Sequence, residues 1–316
     1  MTLKQIQELA IELGIKNDLR GAAKVRKNMA RVKEKYAKMS KEQKEEFDEV
    51  KLTNPYTDSR ILNDTGKKQI KKVMAGIDIE GAELLLAKQM DDIDLVIAHH
   101  PEGRALADLH DVMELQAEVA SIHGVPINVA ESIMKGRMAE VRRGISPINH
   151  NRNVDMAKAL HLDFMCCHTI EDNMSATFVT NLITKNKAKL ETVGDILKLL
   201  KTIPEYKESM KHGAGPRLFV GNEENSTGKI TVSEFTGGTN GSKDIYEKMS
   251  QAGVGTIISM HMGEEHRKEA EKHHINVVIA GHMSSDSLGM NLFLDQLEKK
   301  GIKVVPISGL IRVKRK

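Results

Sequence analysis

Tryptophan is absent from the 316 residues, and all aromatic side chains of the Phe, Tyr and Trp type amount to 3%. Seventeen methionines stand in for large rings as flexible core filler, which leaves function undecided. Cysteine is limited to the neighbours Cys166 and Cys167. Adjacent residues on a strand face opposite ways, so no structural disulfide is expected and a reducing compartment fits. No apolar run approaches the roughly 20 residues of a membrane span. The start, Met1-Thr2-Leu3-Lys4-Gln5-Ile6, lacks the apolar core of a signal peptide. A soluble, cytoplasmic protein with no membrane partner is expected. Neither charge dominates: 47 basic residues against 44 acidic ones leave +3, so nucleic acid is not the default partner.

What is present is a recurring pattern, a short apolar run that ends in histidine. Asp94-Leu95-Val96-Ile97-Ala98 delivers His99 and His100 before Pro101 stops strand pairing. Phe164-Met165-Cys166-Cys167 ends in His168, Thr256–Met260 in His261, and Val277–Gly281 in His282. Carboxylates follow closely at Asp172 and Asp286. In open α/β sheets the ligand crevice lies beyond the carboxyl ends of the strands, so these segments converge on one site. Imidazole with carboxylate is the ligand set of Zn, Fe, Mn or Ni rather than of Ca or Mg. His99 and His100 diverge from an extended backbone and do not easily chelate one ion. They suit two ions about 3.5–4 Å apart, bridged by a carboxylate, which activate water and clamp a phosphate or carbonyl oxygen.

The rest of the chain frames that pattern. Residues 1–53 read as a helical arm: Leu3, Ile6, Leu9, Ala10 and Leu13 keep three-four spacing, with Gly14 as its stop. Arg20 to Lys38 carries eight basic residues and one acidic one, and Ser40 with Gln43 forms a capping box for a helix through Val50. Without interleaved aromatics for base stacking, the basic stretch reads as a solvated helical hairpin, and nucleic acid stays a weakly supported partner. Strand–helix–strand succession from Ile61 onward argues for a parallel sheet covered by helices, interrupted by an almost wholly helical stretch at 104–162. His110, His123, His150 and His161 in that stretch share no spacing and read as surface or capping residues. The division expected is a first α/β domain at 54–212 and a second at 213–316, closed by an edge strand at Val304-Val305-Pro306-Ile307. Thr236–Ser242, a glycine-rich strand-to-helix turn, is either an anion cradle or a tight turn with Ser242 as N-cap. The echo between Leu95–His99 and Val277–His282 implies two related halves facing each other across a cleft, which brings these histidines together.

On His99-His100-Pro101, His168-Thr169-x-x-Asp172 and Gly281-His282-x-x-x-Asp286, the sequence resembles the Nif-three-like dinuclear metal-centre hexameric proteins, often described as GTP cyclohydrolase I type 2. Val73–Asp78 and the glycine-rich turn add to the likeness, which runs from about Ile61 to the end and fits poorly at 104–162. The resemblance implies two α/β domains with mixed or parallel sheets across a metal-binding cleft. It implies two divalent metal ions on His99, His100, Asp172, His282 and Asp286. His168 would stand beside them as a supporting residue or proton carrier. It further implies a homohexamer, and a metal-dependent hydrolase acting on a nucleotide or another phosphate-containing substrate, with a non-catalytic metal-binding scaffold or metal chaperone as the competing class. Asp286 stands where the family usually has Glu, one methylene longer; the basic arm and the 104–162 stretch are unusually long. His261 has no role in the family pattern.

Overall fold

A computed structural model describes residues 1–315. The chain opens with α1 (Leu3–Lys16), whose capping box joins the Thr2 hydroxyl to the Gln5 N–H and the Gln5 side chain to the Thr2 N–H. Leu3, Ile6 and Ala10 are buried on the expected face, but the helix runs through Gly14. A Cβ there would lie 2.9 Å from the Tyr56 ring and 3.0 Å from Ile170, so close approach is what the glycine serves. The expected N-terminal helical arm is present, and its first helix packs into the core. α2 (Ala22–Ala37) buries Val25 alone, and α3 (Lys41–Glu46) carries the expected Ser40–Gln43 capping box. The predicted helix to Val50 stops at Glu46, and a 3-10 turn over Glu49–Leu52 follows.

The first sheet begins with β1 (Ile61–Asn63) and β2 (Lys72–Gly76), then α4 (Gly81–Gln89) and β3 (Leu95–Ala98). The long helical stretch resolves into α5 (Gly103–Ala107), α6 (Glu114–Ile122), α7 (Ile127–Ile145) and α8 (Arg152–Ala159). Next come β4 (Asp163–Cys166), α9 (Thr169–Asn186), α10 (Val193–Leu200) and α11 (Pro204–Lys211). The second sheet uses β5 (Arg217–Val220), β6 (Lys229–Val232), α12 (Ile245–Gln251), β7 (Val254–Ser259), α13 (Glu264–Lys272) and β8 (Asn276–Ile279). α14 (His282–Lys299) and β9 (Lys303–Ile307) finish the chain.

The fold is mixed α/β with two sheets, ordered β1-β4-β3-β2-β9 and β5-β8-β7-β6. In each, the strands pair in parallel except for one antiparallel edge strand, β1 against β4 and β5 against β8. Alternation along the strands serves two packed faces. Ile257 and Val277 pack with α12 and with Met113, Ala117 and Met134 from the long helical stretch. Their neighbours Ile258 and Val278 pack with Val193, Leu197 and Leu200 of α10.

Two expectations about organisation change here. β9 does not complete the second unit: it pairs in register with β2, Val304 opposite Val73, at the edge of the first sheet, where Pro306 is tolerated. The helices α6 and α7 cover the second sheet, not the first, and so do α10 and its apolar face. The linear division at 213 thus does not follow the packing.

Candidate metal centre

Each histidine of the pattern is delivered by a strand end, and both sheets contribute. His99 and His100 follow β3, and their N–H groups donate to the Gly76 and Ile77 carbonyls, which continues the ladder beside β2. His168 is the N-cap of α9, so Asp172 lies one turn further on the same helix face. His282 opens α14 and Asp286 again lies four residues on, the spacing that stacks side chains on one face. Because α14 starts at His282, the pair is aligned. The rings of His100 and His282, from the two echoing strands, meet with centroids 5.4 Å apart.

Three of the imidazoles are held in one way. His99 Nδ1 donates to Glu171 at 2.9 Å, His100 Nδ1 to Asp78 at 2.6 Å, and His168 Nδ1 to Asp58 at 2.9 Å. A carboxylate on Nδ1 fixes the ring and leaves the Nε2 lone pair free to bind, as in carboxylate–histidine–metal arrangements. His99 Nε2 lies 3.4 Å from Asp172 Oδ1 and 3.6 Å from Asp286 Oδ1. The other Asp286 oxygen, Oδ2, lies 3.6 Å from His100 Nε2 and 3.5 Å from His282 Nε2. Asp286 is therefore shared between two groups, His99 with Asp172 and His100 with His282, whose ligand atoms all lie within 4.8 Å of one another in each set. The aspartate is long enough to face both.

His168 turns Nε2 towards Asp172 Oδ2 at 3.8 Å and forms a third grouping with His99 and His100. Burial opposes charge on His99, but Asp286, Asp172 and Glu171 outweigh it and hold its pKa well above the usual imidazole value. Burial pushes the Glu171 carboxyl up to about 7, against the opposing pull of His99. Burial also works against the Asp286 carboxylate, and the surrounding histidines, His99 first, bring its pKa below the ordinary value.

The donor set fits metal ions on a direct observation. His99 Nε2, Asp172 Oδ1 and both Asp286 oxygens are buried and have no hydrogen-bond partner. Unpaired buried polar atoms are expensive, and four of them converging on one place call for a cation. Exposure is graded across the cluster: His99 is fully buried, whereas the His100 and His282 side chains are 28% and 38% exposed.

Of the orienting residues, Asp78 is marked in the sequence as the end of Val73–Asp78, whereas Asp58 and Glu171 carry no such signal. His261 is not part of the ligand groupings. Its ring lies 4.7 Å from that of His282, tilted by 60°, and burial depresses its pKa to about 4. The anion-cradle reading of Thr236–Ser242 gains no support, because a carboxylate already occupies the turn. The Gly241 N–H donates to the Glu234 carboxylate, while Gln116 and Arg137 take the carbonyls of Gly237, Thr239 and Asn240. The segment is a tight turn against α6 and α7, and the N-cap of the next helix is Asp244 rather than Ser242. Of the remaining histidines, His123 is the C-cap of α6 and His150 bonds the Ile145 carbonyl at the end of α7, both capping roles.

A two-sheet α/β fold with a shared His/Asp cluster at converging strand ends defines a metal-binding class of protein. A NIF3 superfamily protein from Sphaerobacter thermophilus is 30% identical and superposes with a TM-score of 0.73, over 80% of this chain and 92% of that one. The chain belongs to the NIF3 superfamily. More distant solved structures include reduced HcgD from Methanocaldococcus jannaschii, at 13% identity and a TM-score of 0.45 over 78% of this chain and 87% of that one. A Bacillus cereus protein related to NIF3 stands at 9% and 0.39, over 79% and 90%. No family model matches the sequence, and no curated protein matches it. Among the described residues no helix is long and apolar enough to cross a membrane.

Proposed function

We propose that this protein binds two divalent metal ions and is a metal-dependent hydrolase acting on a nucleotide or another phosphate-containing substrate, in the manner of the GTP cyclohydrolase I type 2 description. The observation that carries the reading is Asp286, whose two buried, unpartnered oxygens face two separate ligand groups. His99 and Asp172 would hold one ion and His100 and His282 the other, with Asp286 facing both groups. Two ions so placed would supply an acidified water and a clamp for a phosphate or carbonyl oxygen. His168, anchored on Asp58 with Nε2 turned into the cluster, carries protons to and from the reacting group. The exposed edges of His100 and His282 give substrate its approach. Zn, Fe, Mn and Ni all suit these donors, and availability selects among them.

Elemental analysis of the purified protein tests the metal claim: about two ions per chain are expected, with clear loss in His100→Ala and in Asp172→Ala. A His168→Gln protein should keep its metal and lose turnover; loss of metal instead would make His168 a ligand. Turnover is sought on GTP, other nucleotides and phosphoesters with each of the four metals. Metal-loaded protein inert towards all of them would replace the hydrolase reading with the scaffold or metal-chaperone one. We further infer a homohexamer, which the exposed apolar side chains of Leu85 and Leu86 on α4 and of Met90 at its C-cap support as a face for self-association. Light scattering on the purified protein gives the mass directly, and a monomer would refute it.

A further inference from the structure

The basic N-terminal helices and the long helical stretch pack on each other. Glu118 of α6 takes Arg20, Lys24 and Asn28 from the N-terminal side, and Lys51 pairs with Asp111 at 2.7 Å. Beside these contacts α2, the 3-10 turn, the Asn54–Thr57 loop and the start of α6 line a half-open cavity of about 310 Å³. Val25, Met29 and Val32 follow one stripe of α2 and face Phe47 and Leu115 across it. An amphipathic helix normally buries such a stripe completely, and protein interiors leave few voids larger than a water molecule. Here only Val25 of the stripe is buried, because the stripe faces open volume.

The polar groups around this volume are selective. Arg20 and Lys51 are neutralised by carboxylates, whereas Lys35 lines the cavity and has no ion pair among the described residues. Glu114 lines it too and disfavours a multiply charged anion. Thr57, 3% exposed, lines the same cavity with a hydroxyl that has no hydrogen-bond partner. We propose that the cavity binds a small amphipathic monoanion, a hydrocarbon body lying along the Met29–Val32 stripe with its carboxylate against Lys35. The volume falls at the lower end of the roughly 300–1,000 Å³ typical of small-molecule sites, and apolar walls with a few placed polar groups are their usual lining. Thr57 precedes Asp58, which orients His168, so the ligand sits one residue behind a support of the metal cluster. The site does not depend on the metal reading.

The test uses the full chain and 8-anilinonaphthalene-1-sulfonate, an amphipathic monoanion that fluoresces when shielded from water. Saturable enhancement is expected, with displacement by octanoate but not by octanol. Lys35→Glu, at an exposed position, should weaken the dye about tenfold or more through the reversed charge. Met29→Trp should fill the cavity and abolish binding. The His100→Ala protein should bind the dye as wild type does. No saturable enhancement, enhancement indifferent to Lys35→Glu, or equal displacement by octanol would each overturn the proposal. If Met29→Trp lowers the melting temperature, the octanoate competition and Lys35→Glu still decide.

Discussion

At the scale of single residues, the cluster is governed by which nitrogen of each imidazole is occupied. Asp78 takes Nδ1 of His100 at 2.6 Å while remaining 60% exposed itself, so it can be altered with little harm to the core. Asp78→Ala should weaken metal binding at the position of His100 and His282 about 10–100-fold, the usual cost of removing a carboxylate behind a metal-binding histidine. Competition with a chromophoric chelator measures it, and unchanged affinity would mean that His100 is oriented by its backbone alone. A second prediction concerns the thiols. Cys166 and Cys167 are buried, burial pushes the Cys166 thiol up to about 12, and Cys167 is raised well above its ordinary value. The thiolate is the reactive form, so a disulfide reagent should label neither in the native protein and both after denaturation. Fast labelling of native protein would show the strand β4 to be open to solvent. That His99, His100, Asp172, His282 and Asp286 come together is legible in the sequence, because imidazole at strand ends is a local signal. The role of Asp58 and Glu171 is not, since it depends on partners 110 and 72 residues away in sequence.

Among elements, the pairing of α9 with α14 sets the distance between the two halves of the site. Both helices bury polar residues in their first turns: Thr169, Glu171, Asp172 and Asn173 on one, Ser284, Ser285 and Asp286 on the other. That inverted polarity hides the starts of both helices from the sequence pattern. A polar run reads as a loop unless a site or a partner helix is known to cover it. Close approach is allowed by Gly289, where a Cβ would meet the Glu171 carbonyl oxygen at 2.2 Å. Gly289→Ala must push the helices apart, and the backbone on the far side cannot turn away. Destabilisation of about 1–3 kcal/mol is expected from overpacking, read by chemical denaturation, together with weakened metal binding because Glu171 and Asp172 move with α9. Destabilisation without any change in metal affinity would separate the packing of the two helices from the geometry of the cluster.

The whole molecule is closed by its C-terminal residues, which the reading of two consecutive domains missed. Each of the strands β2, β3 and β9 is an apolar run, and nothing in such a run says which sheet it joins; the choice is made by packing of distant segments. After β9 joins the first sheet, residues 308–315 run back along α14. Arg312 pairs with Asp295 and Glu298. Arg315 makes a forked contact with Glu205 of α11, 2.6 Å to each carboxylate oxygen. Glu205 has a fully buried side chain, and Arg315 is the cation that pairs with it, while Asn291 of α14 donates to the same carboxylate. Removing one partner of a buried pair leaves an uncompensated charge, at about 3–5 kcal/mol for full burial; with Arg315 partly exposed, Arg315→Ala should cost about 2–3 kcal/mol. Adding Glu205→Gln should return most of that loss, because the stranded charge is gone while Asn291 keeps an acceptor. α11 also bonds α14 through Tyr206 and Ser285, the residue before Asp286, so the tail braces the helix that carries the shared carboxylate. Denaturation of wild type should accordingly show one transition for both sheets, and Arg315→Ala should lower its midpoint without splitting it. Separate transitions in wild type, or equal losses in the single and double variants, would show that the tail lies on the surface without joining the two halves.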